Sequence, residues 1–121
     1  MSTGKGTIKL GVLGSGSGSN MQAILDAIEH GSLDAEIVLV LSDNPEAYIL
    51  ERAQKAGIRA EVIDCGGYST RFPDASQAAV AEQLKSAAVD IVCLAGFMRL
   101  VKAPLLEVFP QRILNIHPSI L

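Results

Sequence analysis

A chain of 121 residues is long enough for one domain with one real core, and 49% hydrophobic against 19% charged residues is the balance of a folding chain, not of a disordered one. A formal charge of −3 offers no general affinity for nucleic acid or an anionic membrane, so any phosphate site has to be local. The short apolar stretch after residues 1–6 soon runs into glycine and serine, too soon to cross a membrane and without a cleavage pattern, which makes the cytoplasm the expected compartment.

Short β-branched runs alternate with segments of helical spacing, the pattern of an α/β fold in which a Rossmann-like parallel sheet carries helices on both faces. The first strand is expected near Ile8–Leu13. Behind it Met21, Ile24, Leu25 and Ile28 fall at helical spacing, with Asn20 as the expected N-cap and Gly31 at the helix end. A second strand near Glu36–Leu41 precedes a helix over Ala47–Ala56 that should stop at Gly57. The third strand is read at Ala60–Ile63. Cys65–Pro73, with its two glycines, serine, threonine and proline, reads as a surface loop. A third helix should follow Asp74, whose carboxylate is expected to cap while Gln77 makes the reciprocal capping-box contact. The fourth strand is expected over Val89–Ala95. Cys93 inside it reads as a small buried hydrophobe, and no disulfide with Cys65 is expected in a reducing compartment. Pro104 suits the first turn of a short helix through Val108, and a fifth strand is expected at Arg112–Ile116. No internal repeat occurs.

Right-handed crossovers put the loop after every strand at one edge of such a sheet, and ligands bind at that edge. Three stretches should meet there: Gly14–Asn20, Gly96–Val101 and Asn115–Ser119. In the first, glycines permit close approach of backbone N–H groups to an anion, and serine hydroxyls and the Asn20 amide add donors. Its Gly-x-Gly-x-Gly spacing is neither the dinucleotide fingerprint nor a nucleoside triphosphate loop. A flexible linker is the competing reading, weakened by the strand before it and the helix after it.

Asn115 and His117 alternate in the strand manner and so point to one side, with side chains about 7 Å apart along the strand. An Asn amide can donate to a developing oxyanion and a His can take up or stabilise a proton, a pairing suited to acyl transfer without a protein nucleophile. The other His, His30, lies at the far end of the first helix, and with no His/Cys cluster no metal site is expected. Gly96-Phe97-Met98-Arg99-Leu100 mixes a flexible glycine, large apolar side chains and a guanidinium. Core filling by Phe97 and Met98 is the first reading there, and a wall for a flat heterocycle with an acidic tail the second.

The strand followed by Gly16-Ser17-Gly18-Ser19-Asn20, the run Leu94-Ala95-Gly96-Phe97-Met98-Arg99 and the run Leu114-Asn115-Ile116-His117-Pro118-Ser119 together strongly resemble the glycinamide ribonucleotide transformylases, in order and in spacing, from about Lys9 onward. The resemblance implies formyl transfer from 10-formyltetrahydrofolate, a co-substrate, to the amine of 5′-phosphoribosylglycinamide in purine synthesis. It implies that Gly18, Ser19 and Asn20 hold the ribonucleotide phosphate and that Met98, Arg99, Leu100 and Val101, with Asn115, border the folate pocket. Arg71 resembles the family's loop arginine near the ligands, and Asn115 and His117 the catalytic pair that stabilises the oxyanion. The expected partners are these small molecules, with neither nucleic acid nor membrane, and a homodimer is left open.

The family also uses an aspartate on a later loop and further C-terminal contacts. Residues 1–121 are therefore expected to be the N-terminal, ribonucleotide-binding part of a formyltransferase domain, apparently truncated before its C-terminal part, inactive alone and exposing apolar sheet surface. Two enzymes compete: formyltetrahydrofolate hydrolase, against which the Gly/Ser turn argues, and methionyl-tRNA formyltransferase, disfavoured by the lack of a basic face. A non-catalytic nucleotide-binding fragment on the same scaffold is the reading from another class.

Overall fold

The computed structural model describes residues 7–67 and 71–116. The elements run β1 (Ile8–Leu13), α1 (Ser19–Glu29), β2 (Ala35–Ser42), α2 (Tyr48–Lys55), β3 (Ala60–Val62), α3 (Asp74–Ser86), β4 (Ile91–Ala95), α4 (Ala103–Val108) and β5 (Ile113–Ile116). The strands form one sheet in the order β3-β2-β1-β4-β5, every neighbouring pair parallel. β1 is therefore central, and the direction of winding reverses between β1 and β4.

Alternation along the strands builds a core on each face. Leu13, Leu39, Leu41 and Val92 pack with Val80 and Leu84 of α3 and Leu105 of α4. Val12, Ile37, Val40 and Cys93 pack with Met21 of α1 and Ile49 and Ala53 of α2. The expectation of helices on both faces holds, because adjacent strand residues such as Val12 and Leu13, both fully buried, serve opposite cores. Cys65 and Cys93 are both buried and free.

Helix boundaries show where local chemistry departs from expectation. Asn20 is not the N-cap of α1. Gly18 takes that position in the left-handed region (φ 79°), and its carbonyl already accepts the N–H of Gln22 at 2.8 Å, so the helix starts a residue before Asn20. The capping box expected at α3 is also absent. Pro73 precedes the helix with no side-chain cap, and Gln77 is instead fully buried, its Nε2 donating to the Phe72 carbonyl (2.9 Å) and its Oε1 accepting the N–H of Lys102 (2.9 Å). Gln77 thus ties α3 to the entry of α4.

The first three helices end alike. In α1, Gly31 N–H bonds Ile28 and Ser32 N–H bonds Ala27; in α2, Gly57 bonds Gln54 and Ile58 bonds Ala53; in α3, Ala88 bonds Lys85 and Val89 bonds Leu84. Each is a closing motif with a left-handed residue at its centre, glycine in the first two and alanine (φ 60°) in the third. Because Val89 is held by this motif, β4 begins at Ile91 and not at Val89 as expected.

Candidate active site

Gly14–Asn20 leaves the C-terminal end of β1, and Gly96–Val101 leaves the same end of the neighbouring strand β4, so the two loops flank the point where the sheet reverses its winding. They are joined directly. The Ser15 N–H donates to the Gly96 carbonyl at 3.2 Å, and the Met98 N–H donates to Ser15 Oγ at 2.9 Å. Asn115 lies on the next strand outward, paired with Leu94 and exposed at the same end of the sheet. His117 lies outside the described residues, so the expected Asn115–His117 pair is described only in its first member.

The turn has a fixed backing. Ile49 donates its N–H to the Gly16 carbonyl at 3.0 Å, and Arg52 Nε donates to the Ser17 carbonyl at 2.6 Å. Gly18 is buried against α2: a Cβ there would come within 2.9 Å of the Ile49 Cα. Ser19 is exposed and Asn20 half-buried in the first turn of α1, where N–H groups lack helical acceptors and the dipole favours an anion.

The loop after β4 divides its side chains. Phe97 packs on the core and meets Phe72 edge-on, ring centres 5.4 Å apart, as the core-filling reading expects. Met98 does not fill the core. It is 78% exposed, and Leu100 is 69% exposed, because the bond from the Met98 N–H to Ser15 holds the backbone across the edge of the sheet. Val101 returns to the core.

Arg99 turns inward. Its Nε donates to Asp43 Oδ2 at 2.6 Å and its Nη1 to the Arg71 carbonyl, and the Arg99 and Asp43 side chains are only 7% and 8% exposed. The other carboxylate oxygen, Asp43 Oδ1, is buried without a hydrogen-bond partner among the described residues. Cys65 lies close by. Burial pushes its thiol pKa up, against the pull of the Arg99 charge.

The structure therefore brings Gly18, Ser19, Asn20, Met98, Arg99, Leu100, Val101 and Asn115 to one edge of the sheet, with Arg71 joined to it through its carbonyl. Sequence reasoning missed Asp43 and Arg52. The only available signal for Asp43 was its place just after β2, at the same edge as the other loops. Arg52 sat inside a helix, where a cation reads as solvated surface. Among the described residues no group of three or more His, Cys, Asp or Glu could hold a metal ion, and no helix is long and apolar enough to cross a membrane.

Residues 8–121 match the formyl transferase family. The chain belongs to that family. It is 36% identical over 113 residues to the phosphoribosylglycinamide formyltransferase of Bacillus subtilis, covering 93% of this chain and 57% of that protein. It is 42% identical over 115 residues to the trifunctional purine biosynthetic protein adenosine-3 of Drosophila melanogaster, covering 93% of this chain and 8% of the relative. The crystal structure of glycinamide ribonucleotide transformylase 1 from Symbiobacterium toebii superposes with a TM-score of 0.85 at 51% identity, over 95% of this chain and 53% of that one. This formyl transferase chain thus spans little more than half the length of its bacterial relatives, and its sheet is theirs in fold.

Proposed function

We propose that the protein is a cytoplasmic phosphoribosylglycinamide formyltransferase, and that residues 1–121 are the N-terminal, ribonucleotide-binding part of its catalytic domain. The substrates are 5′-phosphoribosylglycinamide and 10-formyltetrahydrofolate, and no metal takes part. The observation that supports this reading is the hydrogen-bonded junction of Ser15 with Gly96 and Met98, which sets the Gly/Ser turn beside a loop bearing two exposed apolar side chains.

In the proposed reaction the turn at Gly18, Ser19 and Asn20 holds the phosphate, and the folate lies along Met98–Val101 near Arg71. The contribution of Arg99 is through its backbone, since its guanidinium is occupied by Asp43 and the Arg71 carbonyl. The ribonucleotide amine attacks the formyl carbon, forming the new C–N bond. Asn115 and His117 stabilise the oxyanion; the attacking amine gives up one proton, the oxyanion collapses, the bond to the folate nitrogen breaks, and that nitrogen takes up one proton as tetrahydrofolate leaves, so no net proton is consumed.

The test is to incubate the protein with both substrates and follow formylated ribonucleotide and free formate by mass spectrometry. Formylated ribonucleotide supports the proposal. Formate released at the same rate without ribonucleotide would make the protein a hydrolase, and ribonucleotide binding with neither product would make it a non-catalytic binding module.

A further inference from the structure

The hydrogen bonds that α2 makes to the Gly/Ser turn are of one kind: both take carbonyl oxygens. Ile49 holds the oxygen of Gly16 and Arg52 holds the oxygen of Ser17. No peptide bond here is cis, and in a trans peptide the carbonyl and the following N–H point in opposite directions. Fixing these two oxygens toward α2 therefore turns the N–H groups of Ser17 and Gly18 away from it, and among the described residues neither N–H has a protein acceptor. Two consecutive peptides thus turn their positive ends away from α2, next in the chain to the first turn of α1, where the Ser19 N–H donates to Ser17 Oγ at 3.4 Å and the N–H groups of Asn20 and Met21 have no acceptor among the described residues.

Arg52 is itself held for this task. Its Nη1 donates to Gln22 Oε1 at 3.2 Å, Gln22 Nε2 is anchored on Asp26 Oδ1 at 3.1 Å, and the guanidinium lies 4.8 Å from the centre of the Tyr48 ring. α1, α2 and the turn are thereby joined through one side chain. Its positive charge also offsets the negative end of the Ser17 peptide, which would otherwise oppose an incoming anion.

We propose that Arg52 is a positioning residue for phosphate recognition: it sets the peptide orientation of the turn and does not itself touch the substrate. The inference rests on the ribonucleotide reading above. A lysine cannot replace it fully, because a point charge lacks the planar fork that bonds the Ser17 carbonyl and Gln22 together.

The test measures dissociation constants of 5′-phosphoribosylglycinamide and of its dephosphorylated nucleoside for the wild-type protein, Arg52→Ala and Arg52→Lys, with KM and kcat alongside. Arg52→Ala is expected to weaken ribonucleotide binding on the order of tenfold, the effect of one charge-assisted hydrogen bond, and to leave nucleoside binding and kcat unchanged. Arg52→Lys should lose less. If Arg52→Ala does not fold, Arg52→Lys carries the test through the same phosphate-specific loss. Equal losses for both ligands would mean a merely structural role, and no loss for either would remove the role; both outcomes overturn the proposal. A wild-type protein that binds both ligands equally would instead overturn the ribonucleotide reading, and this inference with it.

Discussion

The guanidinium of Arg99 and the carboxylate of Asp43 meet at 2.6 Å with both side chains more than nine-tenths buried, which ties the loop after β4 to the end of β2. Through its second nitrogen Arg99 also draws in the backbone of Arg71. Arg99→Ala would leave a buried carboxylate uncompensated, and a loss of about 3–5 kcal/mol in urea unfolding is expected. The double variant Asp43→Leu with Arg99→Met should recover most of that loss, because two apolar side chains bury no charge. If the single variant is as stable as the wild type, the pair does not hold the loops together.

Gly18 and Gly96 are both left-handed, at φ 79° and 72°, but only Gly18 is crowded. Alanine at either position is expected to cost about 1–2 kcal/mol for the backbone alone. Gly18→Ala adds an overlap with Ile49 that the turn can relieve only by moving, at about 1–3 kcal/mol more. Thermal denaturation should therefore rank Gly18→Ala well below Gly96→Ala, with ribonucleotide affinity lost only in the former.

At the end of α3 the left-handed position is filled by Ala88, at φ 60°. Ala88→Gly removes the Cβ strain from the closing motif and should raise stability by about 0.5–1 kcal/mol, seen as a higher urea midpoint with an unchanged slope. A lower midpoint would mean that the unfolded chain gains more freedom from glycine than the folded chain gains in relief.

Burial pushes the thiols of Cys65 and Cys93 above their ordinary pKa. Folding therefore keeps protons that the unfolded chain releases, and the stability these thiols contribute is full below the unfolded value of 9.0 and is lost as pH rises through the folded one. Unfolding free energy measured between pH 8 and pH 10 should fall less steeply in Cys93→Ala than in the wild type, with the curves parallel below pH 8. Parallel curves throughout would count against the shift.

Asn115 is exposed on the outermost strand beside β4, so its side chain carries little of the fold. Asn115→Ala is expected to leave the melting temperature within a degree or so and to lower kcat by about 10²–10³, the effect of losing one oxyanion donor. A fall in KM-dependent binding alone would place Asn115 in recognition and not in catalysis.

The five strands and four helices of the described residues, and the edge where their loops gather, could be read from the sequence, because period-2 and helical spacing survive without tertiary information. Gly31 and Gly57 marked the ends of α1 and α2 for the same reason: a left-handed position usually selects glycine. Ala88 broke that rule, so β4 was expected two residues early. Gln77 and Asp74 matched a capping box by type, but burial of Gln77 between Phe72 and Lys102 outweighed the local contact. Asp43 and Arg52 stayed hidden because their roles depend on Arg99 and Ser17, partners far along the chain that no local pattern names.

The strand order has a consequence for how the chain reaches its native state. Among the described residues no two neighbouring strands are antiparallel, so no hairpin there can seed the sheet, and the central strand pairs Leu10 with Ile91 and Leu13 with Leu94. Closing a loop of that span precedes any reward from the contact, which makes folding slow for the chain's size. During synthesis one edge of β1 waits unpaired until β4 has left the ribosome, and substitutions in either strand that weaken their mutual contact should act first on yield in the cell and only later on the finished protein.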